Sequence, residues 1–181
     1  MRVIAGKAGG RRLVSPEDGS VRPTPDRVKE ALFSIVGNLS GAIVADGFAG
    51  TGALGCEALS RGAAQCYFID QRPESVELIE ENLEIIEARD KGIILEGEFS
   101  HELEFIVDDP DLWFLDPPYN SGLGEAALQA MADADCVTDR ALVVLEQEIS
   151  EPIPEIEGFR RADSREYGRT RLTFFRRVVE D

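Results

Sequence analysis

Cysteine, histidine and long apolar runs are all scarce in this sequence. Its 181 residues include three cysteines and a single histidine. The cysteines lie far apart and form neither a Cys-x-x-Cys pair nor a Cys/His cluster, so a disulfide framework and a metal site both lack support. No apolar run approaches the roughly 20 residues that span a bilayer, and residues 1–13 lack the apolar stretch of a secretory signal. We therefore expect a soluble, monomeric protein of the cytoplasm that does not act at a membrane.

Lysine is also scarce, at three of the 19 basic residues. The formal net charge is −16, which argues at first against a nucleic-acid partner. The distribution of the charge weakens that objection. Residues 1–40 carry seven basic against four acidic side chains, and residues 159–181 carry the same numbers, whereas residues 41–158 carry five against 27. The basic ends either dock a polyanion or form ordinary solvated surface, and charge alone leaves both interpretations open.

The chain is long enough to bury one substantial core and too short for two, so we expect one main domain, residues 22–181. Ahead of it, residues 1–21 predict a small extension in which two short strands pair as a hairpin around Gly9 and Gly10. A helix follows over residues 26–36, with Thr24 as its N-cap and Gly37 at its end.

From residue 42 onward, apolar strands and amphipathic helices alternate, which is typical of a parallel sheet covered on both faces. The last two strands lie so close in the sequence that they must pair antiparallel. The pattern therefore predicts an α/β protein with a mostly parallel sheet. The predicted strands are residues 42–46, 65–70, 93–96, 112–116, 141–146, 158–166 and 171–178, and the predicted helices between them are residues 53–60, 73–89, 100–107 and 125–134.

A glycine-rich loop follows the first of these strands and opens a helix. It contains Gly50-x-Gly52-x-x-Gly55, a spacing in which glycines let the backbone approach a nucleotide closely. Asp70 ends the next strand, where its carboxylate can accept hydrogen bonds from ribose hydroxyls. Together these features predict an adenosine-containing cofactor, although glycine-rich turns in this position also occur without a ligand.

Asp46 helps to choose between cofactors. It lies at the carboxyl end of its strand, four residues before Gly50, where it can face a cationic ligand such as the sulfonium amino acid of S-adenosylmethionine. The anionic pyrophosphate of NAD would be repelled by a carboxylate in a low-dielectric cleft. The alternative, that Asp46 only caps the turn, stays open.

The segment Asp-Pro-Pro-Tyr at residues 116–119 is the most specific signal in the chain. Pro117 and Pro118 remove two backbone donors and fix a turn at the end of an apolar strand. An aromatic amine is a poor nucleophile because its lone pair is delocalised into the ring. If Asp116 and the Pro117 carbonyl accept its two N–H groups while Tyr119 stacks on the base, the nitrogen is aligned for methyl transfer. A purely structural turn, with Tyr119 as packing, is the alternative.

These motifs together resemble the bacterial RsmD family of ribosomal RNA guanine-N2 methyltransferases. The Asp-Pro-Pro-Tyr turn is shared with many amino-methyltransferases, whereas the amino-terminal motifs point to this family. The sequence departs from the family's usual pattern at Asp70, where Glu is common, and at Glu98-Phe99, where Asp-Ala is common. The matching segments are residues 2–6, 22–24, 26–33, 46–55, 57–63, 116–119 and 167–172.

The resemblance implies the class I S-adenosylmethionine-dependent methyltransferase fold, a Rossmann-like, mostly parallel seven-stranded sheet with an antiparallel last strand. It implies S-adenosylmethionine as cofactor and ribosomal RNA, alone or in a partly assembled small subunit, as substrate; residues 1–21 would then be an RNA-contact extension. The implied catalytic residues are Asp116, Pro117, Pro118 and Tyr119. The implied cofactor-binding residues are Asp46, Phe48, Ala49, Gly50, Thr51, Gly52, Asp70, Glu98 and Phe99. Candidates for contacts with RNA phosphates or the cofactor's carboxylate are Arg11, Arg12, Arg22, Arg27 and Arg169.

Other functions are compatible with parts of the pattern. An NAD(P)-dependent oxidoreductase explains the glycines but gives residues 116–119 no role. A non-catalytic RNA-binding or assembly module explains the basic ends, yet no motif position looks ruined. An amino-methyltransferase acting on adenine or cytosine uses the same turn, so the methylated base is the least determined part of the prediction.

Overall fold

The computed structural model of the protein describes residues 1–16 and 24–178. Its centre is a single seven-stranded sheet, which confirms the α/β prediction. The strands are β1 (Ile43–Gly47), β2 (Gln65–Asp70), β3 (Gly92–Glu96), β4 (Leu112–Leu115), β5 (Leu142–Glu148), β6 (Phe159–Tyr167) and β7 (Thr170–Arg177).

The strands lie side by side in the order β3-β2-β1-β4-β5-β7-β6. All pairs among the first five strands are parallel: β1–β2, β1–β4, β2–β3 and β4–β5. Strand β7 runs antiparallel to both β5 and β6. The chain leaves β1 toward β2 on one side and later returns to place β4 on the other. The loops after β1 and β4 therefore meet at the carboxyl edge of the sheet, at a switch point where ligands of open α/β sheets bind.

Helices cover both faces of this sheet. They are α1 (Asp26–Val36), α2 (Ala53–Ser60), α3 (Pro73–Ile85), α4 (Phe99–Glu102) and α5 (Leu123–Asp133), with short 3-10 turns at Arg89–Lys91 and Leu103–Phe105. Successive strand residues point to opposite faces, so Val44 of β1 packs into a core with α1, α2 and α3, while its neighbour Ala45 packs into a second core with α4 and α5.

Several helix ends differ from their prediction. Pro25, not Thr24, is the N-cap of α1, and no side chain in the described part of the chain caps that helix by a hydrogen bond. Gly37 ends α1, as predicted, with a φ of 76°. Helix α3 stops at Ile85 because Glu87 adopts a left-handed backbone conformation with a φ of 57°. The helix expected over residues 100–107 is the single turn of α4 followed by a 3-10 turn.

The amino-terminal segment makes one antiparallel bridge, between Arg2 and Arg12, instead of the two strands of the predicted hairpin. Its apolar side chains Val3, Ala8 and Leu13 are buried in the same core as α1, α2 and α3. Among residues 1–16 and 24–178, none of the helices combines the length and the apolar character that a transmembrane span requires.

Candidate active site

A cavity of about 490 Å³ opens at the carboxyl edge of the sheet, where the loops after β1, β2, β3 and β4 meet. The structure brings together there the glycine-rich loop, the acidic ends of the strands and the Asp-Pro-Pro-Tyr turn. Of the residues proposed from the sequence for cofactor binding and catalysis, those lining the cavity are Asp46, Phe48, Ala49, Gly50, Thr51, Asp70, Glu98, Phe99, Asp116, Pro117, Pro118 and Tyr119.

The glycine-rich loop is held in a tight conformation that needs small residues. Gly50 and Gly52 have φ values of 58° and 74°, in the left-handed region that favours glycine. Gly52 does not line the cavity. It directly precedes α2, and a Cβ atom at this position would lie close to the side chains of Ile79 and Phe68. A Cβ atom on Gly55 would lie 2.2 Å from Cε1 of Phe68, so this glycine lets α2 pack closely on β2.

Asp46 is the most deeply buried carboxyl group of the site, with 1% of its surface exposed. Its Oδ2 accepts a hydrogen bond of 2.8 Å from the backbone N–H of Gly55. Burial raises the pKa of Asp46 to about 8, partly opposed by the Gly55 hydrogen bond and reinforced by the nearby negative charge of Asp70. A cation placed in the cavity would stabilise the ionised form of this carboxyl group.

Asp70 ties the end of β2 to the glycine-rich loop. Its Oδ2 accepts the backbone N–H of Gly50 at 2.8 Å, and its Oδ1 accepts the backbone N–H of Arg72 at 3.0 Å. The Arg72 guanidinium lies 3.3 Å from the same oxygen. A carboxylate has about four acceptor positions, so these contacts leave the carboxylate able to accept a ribose hydroxyl, the role expected from the sequence.

Two aromatic rings form one wall of the cavity. Phe48 and Phe99 stack with ring centroids 5.2 Å apart and an interplanar angle of 16°. Phe48 adopts a φ of 59°, which is rare for a bulky residue and is typical of backbone held in place at a functional site. Glu98 lies beside this wall with half of its side chain exposed, and the hydrogen bond from Ser100 lowers its pKa.

The Asp-Pro-Pro-Tyr turn begins directly after β4, whose Leu115 pairs with Gly47 of β1. This register places Asp116 beside the loop that follows β1. Pro117 is buried and Pro118 is exposed at the cavity. The Tyr119 hydroxyl donates a hydrogen bond of 2.9 Å to Oε1 of Glu146 and lies 3.0 Å from Oγ1 of Thr170, so the ring is tied to β5 and β7.

Four polar residues that line the cavity were not proposed for the site from the sequence: Thr24, Gln71, Arg72 and Glu146. Glu146 is 6% exposed and lines the cavity near the carboxyl end of β5. Thr24, expected as a helix cap, directs its hydroxyl toward Oδ2 of Asp116, at 3.4 Å, and Oε2 of Glu146, at 3.5 Å. The available signal for Glu146 was an acidic residue at the end of the predicted apolar strand 141–146, because parallel strands bring their carboxyl ends to one edge of the sheet.

The arginines proposed for phosphate or carboxylate contacts are dispersed. Arg11 pairs with Glu87 at 2.8 Å, and Arg169 pairs with Glu148 in the turn between β6 and β7. Arg27 is exposed on α1. Arg12 and Arg2 line a second cavity. This second cavity shares Thr24 and Pro25 with the main cavity. Arg22 lies outside the described residues.

Comparison with known proteins agrees with this geometry. The family model described as "Conserved hypothetical protein 95" matches residues 1–176. The chain belongs to this family. It is the RsmD family to which the sequence motifs pointed.

Two relatives of the family illustrate the similarity. One from Escherichia coli K12, named ribosomal RNA small subunit methyltransferase D, is 35% identical over 161 residues, which cover 86% of this chain and 79% of the relative. A protein of the same name from Haemophilus influenzae is 32% identical over 159 residues, or 84% of this chain and 81% of the relative.

Solved structures of similar proteins have the same fold. A protein from Escherichia coli superimposes with a TM-score of 0.83 at 27% identity, covering 99% of both chains. A protein from Thermus thermophilus gives a TM-score of 0.80 at 28% identity, covering 96% of this chain and 98% of the other. The fold is therefore that of class I S-adenosylmethionine-dependent methyltransferases, as predicted.

Proposed function

We propose that this member of the RsmD family transfers a methyl group from S-adenosylmethionine to the exocyclic N2 amine of a guanine in small-subunit ribosomal RNA. The observation that carries the proposal is that the glycine-rich loop and the Asp-Pro-Pro-Tyr turn line one cavity. Methyl transfer needs the donor carbon and the acceptor nitrogen in contact, so the two motifs have to share a site. The names of the curated relatives support ribosomal RNA as the substrate class.

The residues of the cavity fit S-adenosylmethionine. The buried Asp46 suits the positively charged methionine portion, since a carboxylate whose pKa is raised by burial regains a favourable charged state beside a cation. Asp70 lies where it can accept the ribose hydroxyls, and the stacked pair of Phe48 and Phe99 offers an apolar wall for the adenine. When bound, the cofactor supplies a methyl group on a sulfonium, which is the electrophile of the reaction.

The Asp-Pro-Pro-Tyr turn orients the amine. The Asp116 carboxylate and the Pro117 carbonyl each accept one N–H of the amino group, which favours the localised lone pair and aligns it for in-line attack. The proton released after transfer passes to Asp116 or to solvent. Tyr119, held by Glu146 and Thr170, stacks against a base that has left its helix.

The basic residues near the ends of the chain are our candidates for RNA contacts. Arg12 and Arg2 lie on the cavity that adjoins the active site, so they can meet the phosphates on either side of an extruded nucleotide. Arg27 on α1 and Arg169 in the turn between β6 and β7 are exposed, so they are further candidates for contacts with RNA phosphates. The segment of residues 1–21 would thus serve as an RNA-contact extension.

Mass mapping of modified nucleosides tests the proposal. Ribosomal RNA and small subunits from cells that lack this enzyme are incubated with isotope-labelled S-adenosylmethionine, digested and analysed. We expect labelled N2-methylguanosine at one position. Labelled N6-methyladenosine or N4-methylcytidine would show a different target base, and cofactor binding without any transfer would favour a non-catalytic assembly role. Binding of NADH without binding of S-adenosylhomocysteine would favour an oxidoreductase.

A further inference from the structure

Two carboxylates lie on neighbouring strands at the cavity: Asp116 directly follows β4, and Glu146 lies near the carboxyl end of β5. Strands β4 and β5 are parallel, and Leu115 pairs with Leu145, so the next residues along the two strands are Asp116 and Glu146. Both line the cavity. The hydroxyl of Thr24 lies within 3.5 Å of an oxygen of each, which places the two carboxylate groups within two hydrogen-bond lengths of each other.

Glu146 is held in a defined position. Glu146 is 6% exposed, and in the sheet it lies opposite Leu172 of the neighbouring strand β7. The Tyr119 hydroxyl donates to its Oε1, while the Thr24 hydroxyl lies 3.5 Å from its Oε2. Burial and the negative charge of Glu146 raise the pKa of Tyr119, so its hydroxyl keeps its proton and remains a donor to this carboxylate. Glu146 lines the cavity, so its carboxylate lies within reach of a substrate that is bound there.

We propose that Glu146 determines the base specificity of the enzyme by accepting the N1–H of the target guanine, while Asp116 and the Pro117 carbonyl accept the N2 amine. This inference rests on the proposed function and adds the residue that selects the base. Guanine presents two neighbouring donors on its Watson–Crick edge, the N1–H and the N2 amine. Adenine and cytosine present an amine next to a ring nitrogen that is an acceptor. Two adjacent carboxylates therefore match guanine and reject the other two amine-bearing bases.

The rejection has a direct physical cause. A buried carboxylate that faces a ring-nitrogen lone pair loses its hydrogen bond to water and gains repulsion in place of a new bond. When carboxylate oxygens accept hydrogen bonds from two neighbouring donors of a base, each matched pair favours that base over the others by on the order of 10- to 100-fold. An amino-methyltransferase with a single carboxylate at its turn lacks this second contact, so the carboxylate of β5 adds selectivity that the Asp-Pro-Pro-Tyr turn alone does not supply.

The test compares two purines that both carry the N2 amine. RNA substrates are made with either guanosine or 2,6-diaminopurine riboside at the methylated position, and single-turnover rates are measured with saturating S-adenosylmethionine. We expect the unsubstituted enzyme to prefer guanosine by roughly 10- to 100-fold, since diaminopurine lacks the N1–H. Glu146→Gln should remove or invert this preference, because the carboxamide can donate to N1 of diaminopurine. The control is Glu155→Gln, an exposed position between β5 and β6 that should keep the preference.

The outcomes distinguish direct recognition of the base by Glu146 from a purely structural role of this residue. If Glu146→Gln slows transfer to both purines equally, Glu146 acts only through Tyr119 and the proposal is overturned. If Glu146→Gln is inactive on both, Glu146→Asp decides: a retained preference for guanosine supports the proposal, and equal rates on the two purines overturn it. If the unsubstituted enzyme methylates no guanosine at all, the proposed function fails instead.

Discussion

The three aspartates of the active site, Asp46, Asp70 and Asp116, have the same side chain in different surroundings. Asp46 is almost fully buried with one backbone donor, Asp70 accepts two backbone N–H groups, and Asp116 is half-buried at the cavity. The sequence indicated all three as site residues, because each follows or ends a strand. The environment that gives each its role depends on the packing of neighbouring strands, which residue type does not encode.

The first residue-scale prediction concerns Asp46 and pH. Its pKa of about 8 in the folded protein lies above the ordinary 3.8, so the folded state holds an extra proton between these values. Stability should therefore fall as pH rises from about 4 to 8 and should level off above that. Asp46→Asn removes this dependence and should be more stable than the parent at pH 9 by on the order of a few kcal/mol, with little difference at pH 4.

Urea unfolding at four pH values between 4 and 9 measures this difference without added cofactor. The exposed Asp139→Asn serves as control. A constant difference between Asp46→Asn and the parent across the whole range would show that Asp46 does not titrate with a raised pKa.

The second residue-scale prediction concerns Asp116. Since the proposed role of the Asp116 carboxylate is to orient the amine, Asp116→Ala should lower the rate of methyl transfer by at least about 100-fold. The affinity for S-adenosylhomocysteine, measured by calorimetry, should change less than about threefold. Loss of cofactor binding as severe as the loss of transfer would assign Asp116 to the cofactor and not to the base.

At the scale of elements, the buried Glu57 of α2 fastens the amino-terminal segment to the domain. It accepts the backbone N–H groups of Ile4, at 2.7 Å, and Ala5, at 3.0 Å, and the side chain of Arg61 at 2.7 Å. Lys29 of α1 lies 3.8 Å away, and burial lowers the pKa of that lysine against the opposing attraction of Glu57. The segment predicted as a separate hairpin is thus bonded to the helix that follows the glycine-rich loop.

Glu57→Ala should destabilise the protein strongly. It leaves the Lys29 charge buried and two backbone donors without their acceptor, and breaking a buried ion pair in this way costs about 3–5 kcal/mol. Glu80→Ala, which removes an exposed pair with Arg89, is the matched control and should cost less than about 1 kcal/mol. Thermal and urea unfolding measure both changes. Equal, small effects would mean that solvent or another group replaces Glu57.

The accuracy of the element predictions followed from local signals. Strand β2 was predicted with the bounds it has, because an apolar run between polar residues defines it without reference to the rest of the chain. The end of α3 was predicted four residues too late, since the acidic, helix-forming sequence continues past Ile85. What ends the helix is the left-handed conformation of Glu87, which no residue type in the segment demands.

At the scale of the whole molecule, charge is the unusual property of this RNA methyltransferase candidate. The net charge of −16 is concentrated in residues 41–158, while both ends of the chain are basic. The second cavity, lined by Arg2 and Arg12, borders the active site. An RNA held at that edge of the sheet would meet positive charge near the reacting base and be repelled by the acidic remainder, which restricts how it can dock.

Charge reversal at Arg12 tests this arrangement. Arg12→Glu should weaken RNA binding at every salt concentration and lower the slope of log affinity against log salt by about 1, as for loss of one phosphate contact. Affinity for S-adenosylhomocysteine should stay the same. Arg89→Glu, before β3 at the opposite edge of the sheet, is the control and should leave the slope unchanged. Identical slopes for both variants and the parent would place the RNA elsewhere.

The sequence by itself determined the class of the fold, the position of the glycine-rich loop and the identity of the Asp-Pro-Pro-Tyr turn, because hydrophobic periodicity, glycine spacing and paired prolines are local properties. The tertiary structure decided which strand ends become neighbours. It joined Asp116 to Glu146, 30 positions later in the chain, and turned Thr24 from an expected helix cap into a link between them. Such contacts arise from the order and register of strands in the sheet, and these are fixed by burial of the whole core and not by any one segment.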